Sequence, residues 1–221
     1  MSGDIEAQQA LATLNANKLK QELNARAWGD HMEDLLKSWG EKAAGLRFMH
    51  NKEATRWKSL SNKLTIWGIL FTTISSTAAL STANIKGDIA TPIMYSVGVL
   101  GLGSSLIQSM KKFYNADEKA AEHSAVSKQF GSFYRYMTLQ LGMSRADRVP
   151  PEELSSWCLK EYERLQQESP PIGGGAIEEF KLAFSSKKQS VPDVAEDSFV
   201  ITVHGRDEAA VKSSESFEQQ L

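Results

Sequence analysis

Two stretches without a formal charge constrain this 221-residue chain more than any other feature. Leu64 to Ile85 (LTIWGILFTTISSTAALSTANI) and Ile89 to Met110 (IATPIMYSVGVLGLGSSLIQSM) each run 22 residues without Asp, Glu, Lys, Arg or His. At 1.5 Å per residue a helix of that length spans about 33 Å, close to the roughly 30 Å hydrocarbon thickness of a bilayer. Only Lys86, Gly87 and Asp88 separate the two, and a glycine beside two charges suits a tight, exposed turn. Pro92 falls in the first turn of the second stretch, where its missing N–H costs least. The pattern predicts a transmembrane helical hairpin with spans at about 64–85 and 89–110. The many Ser, Thr and Gly residues also fit a helical hairpin buried in a soluble protein, so both readings stand at this point.

The flanks set an orientation. Residues 42 to 63 hold Lys42, Arg47, Lys52, Arg56, Lys58 and Lys63 against Glu53 alone, and Lys111 and Lys112 follow the second stretch. The excess of positive charge beside both spans places the two long arms, and both termini, in the cytoplasm. Little beyond the turn at 86–88 then reaches the far side. Trp57 lies where the first span begins and reads as an interfacial anchor, whereas Trp67, deeper in, is expected to pack against the second helix.

Small and hydroxylated residues are concentrated within the spans. Thr72, Ser75 and Thr77 on the first, with Gly98, Gly101 and Ser105 on the second, are the candidate contact residues. Such residues let helices approach closely and hydrogen-bond across the contact. The same hydroxyls could line a water-filled path in an oligomer.

The arms continue the helical period. Upstream, steps of three and four residues run Leu36, Trp39, Ala43, Leu46, His50, Glu53, Trp57, Leu60, Leu64. Downstream they run Phe113, Ala116, Ala120, His123, Ser127, Phe130, Tyr134, Met137, Leu141. These are coiled-coil periods, expected to leave the membrane without a break. They predict an all-α fold in which the hairpin extends into a long antiparallel cytoplasmic stalk. His50, Glu53 and His123 fall at comparable heights, roughly 20 Å from the membrane edge, and form a candidate polar layer fixing helix register. Imidazole and carboxylate suit zinc, but three candidate ligands without a framing motif predict no metal site.

The remainder divides by composition. Residues 1–29 form a helix-compatible arm that Gly29 ends, and 30–185 form the two-span domain. Within it Pro150 and Pro151 stop the downstream helix. Glu152 to Glu168 then carries the stripe Leu154, Trp157, Cys158, Tyr162 and Leu165. Pro170, Pro171 and Gly173 to Gly175 make a turn before a short amphipathic helix with Ile177, Phe180, Leu182 and Phe184. Residues 186–221 are polar and acidic and read as a disordered tail, with SFVITVHG (198–205) as its one apolar run.

Lys and Arg total 25 against 27 Asp and Glu, a net charge of −2, which argues against a nucleic-acid partner. The mean hydropathy of −0.35 conceals the clustering of apolar residues mid-chain. One cysteine, Cys158, forms no intramolecular disulfide, and the start MSGDIEAQQA has neither the pattern of a secretory leader nor a myristoylation glycine. There is no GxGxxG, P-loop, HExxH or CxxC, and Gly101-Leu102-Gly103 lacks the lysine of a phosphate loop. An enzyme is not expected, nor is a cofactor.

The layout resembles the SLATT family of two-transmembrane domains, in particular the stand-alone versions encoded by large DNA viruses. The resemblance is carried by SWGEKAAGLRFMHNKEATRW (Ser38 to Trp57), by the aromatic and small-residue segment after the hairpin, and by SPPIGGGAIEEFKLAF (Ser169 to Phe184), covering roughly residues 30–185. It implies a membrane effector that oligomerises into a pore, or a membrane protein of a virion or infected cell. Three functions follow for test. The first is a self-associating, ion-conducting or pore-forming protein of the bilayer. The second is a non-catalytic anchor or scaffold that recruits a cytoplasmic or virion protein through residues 152–184. The third is a soluble helical interaction module.

Overall fold

The computed structural model describes residues 2–82, 90–185 and 189–196, and every long element among them is an α-helix. The helices are α1 (Ser2–Ala27), α2 (Asp30–Thr82), α3 (Ala90–Tyr114), α4 (Ala116–Gly142), α5 (Pro151–Gln167) and α6 (Gly174–Phe184), followed by a 3-10 turn at Asp193–Ala195. The turn expected at 86–88 and the run 198–205 lie outside the described residues.

Local chemistry accounts for the boundaries. The break expected at Gly29 is present, since α1 ends at Ala27 and α2 begins at Asp30. Asp30 and Glu33 sit in the first turn of α2, where negative charge offsets the helix dipole. Lys111 and Lys112 complement the last turn of α3, and Pro151 opens α5 at the position that needs no amide hydrogen. The expected unbroken helix after the second span is corrected by one residue. Asn115 has a φ of 47° and separates α3 from α4. A short polar side chain tolerates that left-handed backbone better than a branched one. The phase of the apolar seam restarts there: Ala116 and Ala120 are buried, while Phe113, on the far side of the break, is 84% exposed.

Two compact units share α2 and α4. The first comprises Met1–Leu46, Gln129–Gln167 and the described residues from Ile177 on. Its core holds Leu36, Ala43, Phe130, Phe133, Met137, Leu154, Cys158 and Leu165. Trp157 stacks on Phe133 with ring centroids 5.6 Å apart. Four of the five residues in the stripe read from α5 are buried, Trp157 being 39% exposed, and burial pushes the Cys158 thiol up to about 12.

The loop after α4 is fastened to the corner between α1 and α2 within this unit. Arg145 donates to Glu33 at 2.8 Å and also to Asp30. Arg148 reaches Glu33, donates to the carbonyls of Met143 and Leu141 at 2.9 Å each, and lies 5.0 Å from the Trp28 ring. Asn24 Nδ2 donates to the Arg148 carbonyl at 2.7 Å. The hydrogen bonds from Arg145, together with those from Arg148, hold the Glu33 carboxyl down at about 2. Within the stretch expected to be a disordered tail, residues 189–196 pack on α2. Pro192 is buried, Lys42 Nζ meets Asp193 at 2.6 Å, and the Ser190 amide donates to Glu41 at 2.8 Å.

The second unit comprises Arg47–Lys128 and Glu168–Ala176. It contains the C-terminal part of α2 paired antiparallel with α3 and with the start of α4. Met49, Ala54, Ala116, Ala120, Val126 and Ala176 are buried in it.

Candidate functional site

The contact between α2 and α3 is built from small residues that let two apolar helices close on one another. Thr72 Oγ1 and Ser104 Oγ are 2.6 Å apart, and Ser75 Oγ donates to the Val97 carbonyl at 3.2 Å. A Cβ built on Gly68 would lie 3.6 Å from Ile107, one on Gly103 3.6 Å from Phe71, and one on Gly101 3.7 Å from Ser75 Oγ. Three of the six expected contact residues, Thr72, Ser75 and Gly101, therefore meet at this seam. The other three do not. Gly98 has nothing within 4 Å of its Cβ position, Ser105 is exposed and donates only to the Gly101 carbonyl of its own helix, and Thr77 is exposed. Ser104, Gly68 and Gly103 take their places. A stripe of small residues was visible in the sequence, but its rotational phase depends on the partner helix.

Outside this seam the hairpin is bare. Each of the two long helical stretches carries an 18-residue apolar window, of mean hydropathy 1.4 and 1.3, and only 6% of each window is buried. By length and composition both are able to cross a membrane. Trp67, expected to pack against the second helix, is 54% exposed, and its ring neighbour is Phe71 of the same helix. Trp57, the expected anchor, is half-buried beneath Lys119 Nζ, which lies 4.5 Å from its ring.

Beyond the hairpin, two of the three residues expected to form a polar layer meet. His50 and His123 are buried with their Nδ1 atoms 2.9 Å apart and ring centroids separated by 5.2 Å. A single Nδ1 proton serves this bond, with one imidazole donating and the other accepting. Burial first, and then the charge of His123, lowers His50 to about 4. His123 is also lowered by burial, against the opposing pull of Glu53 and Glu122. Glu53 is buried and accepts from Arg56 Nη1 at 3.2 Å.

The segment 173–175, read from sequence as part of a turn and in the structure running into the start of α6, closes over these two side chains. A Cβ on Gly173 would stand 2.9 Å from Glu53 Oε1, and one on Gly175 would stand 2.7 Å from Arg56 Nη1. A side chain at either position would displace the end of the Glu53 or the Arg56 side chain. That signal was present as a glycine run, but its partner lay more than a hundred residues upstream. Among the described residues no group of three His, Cys, Asp or Glu is arranged to hold a metal ion.

Chemically, the layer can exchange a proton and fix the register of α2 against α4. The seam can hold a hairpin together while leaving its outer surface apolar. Compared with protein-family models, curated proteins and solved structures, the chain gives no match.

Proposed function

We propose that this chain is a non-catalytic membrane anchor or scaffold, inserted by the α2–α3 hairpin, with both flanking arms on the cytoplasmic side. One observation carries the reading: the two apolar windows pair through a narrow seam, only 6% of each window is buried, and large apolar residues such as Ile66, Ile69, Val99, Leu102 and Leu106 are more than 60% exposed. Water penalises such surface heavily, and lipid does not. A helix serving as the core of a soluble protein buries its apolar residues instead. The lysines at 58, 63, 111 and 112 supply the positive flank that orients the hairpin.

The scaffold reading is favoured over conduction by the use already made of the hydroxyls. Thr72 and Ser75 already make hydrogen bonds to α3 inside the hairpin, which is the role of a packing contact. Self-association then involves the outer apolar faces, and a partner meets the remaining exposed apolar residues of the 152–184 region, chiefly Leu159 and Leu182. Alkaline carbonate extraction of membranes containing the full chain tests insertion, with the protein expected in the pellet. Tags at both ends should be protease-sensitive only from the cytoplasmic side. Verified insertion with a silent planar bilayer supports the scaffold; discrete conductance steps absent from a variant lacking residues 64–110 would replace it with a pore.

A further inference from the structure

A cleft of about 720 Å³ opens between α2 and the junction of α3 with α4. Its walls are mixed, with Thr65, Thr72, Thr73 and Gln108 among the lining residues. Leu64, Gly68 and Ile69 belong to the first apolar stretch, whereas Lys111, Lys112, Asp117 and Glu118 lie just past the end of the second. The cleft therefore straddles the level at which the helices change from uncharged to charged. Its volume lies within the roughly 300–1,000 Å³ typical of pockets for small organic groups. The left-handed Asn115 shapes it, because the break brings the first-turn carboxylates of α4 beside the last-turn lysines of α3.

Both signs of charge line the polar end. Lys111 Nζ donates to Thr65 Oγ1 at 2.8 Å and lies 3.6 Å from Asp117. Asp117 also accepts from Lys58 at 3.1 Å, and Glu118 accepts from Asn115 Nδ2 at 2.9 Å. The Ser61 hydroxyl and Lys58 keep the Asp117 carboxyl below its ordinary range, so it is charged at neutral pH.

The geometry points to a seat for one phosphatidylethanolamine molecule. Its phosphate lies against Lys111 and Lys112, its ammonium against Asp117 and Glu118, and its acyl stem along Leu64, Gly68 and Ile69. This rests on the membrane-spanning reading above. Charge complementarity selects the headgroup. An anionic lipid satisfies the lysines but meets two carboxylates, and the quaternary ammonium of a choline lipid has no N–H to donate to them. A free phosphate leaves the apolar wall uncovered.

The full chain, expressed in membranes and first shown to resist carbonate, is extracted with mixed lipids containing equal phosphatidylethanolamine, phosphatidylglycerol and phosphatidylcholine. Native mass spectrometry then reads the retained lipid. One ethanolamine lipid per chain is expected, favoured by about tenfold over either competitor. The double variant Lys111→Gln/Lys112→Gln should lose it, and Asp117→Asn/Glu118→Gln should shift retention to phosphatidylglycerol; each must still insert. Equal retention of the three lipids, or an unaltered preference in both inserted variants, overturns the site and leaves the spanning reading intact. Displacement by excess glycerophosphoethanolamine in solution overturns the lipid as occupant. Release of the parent chain by carbonate overturns the spanning reading itself.

Discussion

His50 and His123 face one another through their Nδ1 atoms at 2.9 Å, although they are 73 residues apart and both buried. The arrangement accepts one proton between the rings and opposes a second, because two Nδ1–H groups would then point at each other. The charged groups near His123 are Glu53 and Glu122, and their pull is weaker than the effect of burial.

Acid should therefore loosen the second unit. The folded-state value of His50, about 4, lies below its ordinary 6.5, so the unfolded chain binds more protons between those limits. Stability is fully present above about pH 6.5 and falls as pH drops toward 4. Between pH 7 and pH 5 the loss for one such group is roughly 2 kcal/mol. Denaturant unfolding of the detergent-solubilised chain at the two pH values measures it, and a His50→Asn/His123→Gln variant should show a much flatter profile. An equally steep profile in the variant would assign the acid sensitivity elsewhere.

The Arg148 side chain is only 9% exposed, and its hydrogen bonds to Glu33 and two backbone carbonyls fasten the loop after α4. Arg148→Met keeps the length of the stem but leaves those acceptors without their donor. A loss of about 2–3 kcal/mol is expected, and Arg148→Lys should recover little, since an ammonium does not reproduce the planar fork. Urea unfolding of the three proteins decides this, with a Lys variant at full stability pointing to charge alone.

Helical repetition made much of this fold legible. Leu36, Ala43, Leu46, His50 and Glu53 were placed on one seam by period alone, and all are buried; so are Ala116, Ala120, His123, Phe130 and Met137. Local periodicity says which face is apolar. It does not say where a helix stops for a reason of tertiary geometry, as at Asn115. Nor does it pair Arg145 with Glu33, 112 residues away, or set Gly173 against Glu53. The choice among Gly98, Gly101 and Gly103 likewise depends on how α3 is rotated toward α2, which no single helix encodes.

Gly45 tests the packing of residues 189–196. Alanine in place of a helical glycine ordinarily adds up to about 1 kcal/mol of stability. Here its Cβ would fall 2.5 Å from Pro192 Cγ, 2.9 Å from Pro192 Cδ and 3.0 Å from Phe180 Cε2. Overpacking of this kind costs about 1–3 kcal/mol, so the net effect of Gly45→Ala should be destabilising. Adding Pro192→Ala should restore stability toward that of Pro192→Ala alone, and a double-mutant cycle measures the coupling. Stabilisation by Gly45→Ala in the parent background would show that the segment yields freely.

The seam between α2 and α3 gives the sharpest contrast between sequence and structure. Ser104 is buried, lies 2.6 Å from Thr72 Oγ1 and accepts from Gln108 at 3.2 Å, whereas Ser105, its neighbour, is exposed. Ser104→Val removes the shared hydroxyl and places a branched side chain at the closest point of the contact. Hydrogen bonds between helices in lipid are worth on the order of 0.6 kcal/mol, and the added bulk should raise the total loss to about 1–2 kcal/mol. Ser105→Ala and Gly98→Ala touch nothing across the seam and should leave the hairpin unchanged within about 0.5 kcal/mol, apart from the helix-propensity gain at the glycine. Cysteine pairs introduced at 68 and 107 in a Cys158→Ala background report the separation of the helices through their crosslinking rate. Slower crosslinking in Ser104→Val, with normal rates in the other two, is the expected result. Equal slowing by Ser105→Ala would mean that α3 presents a different face to α2.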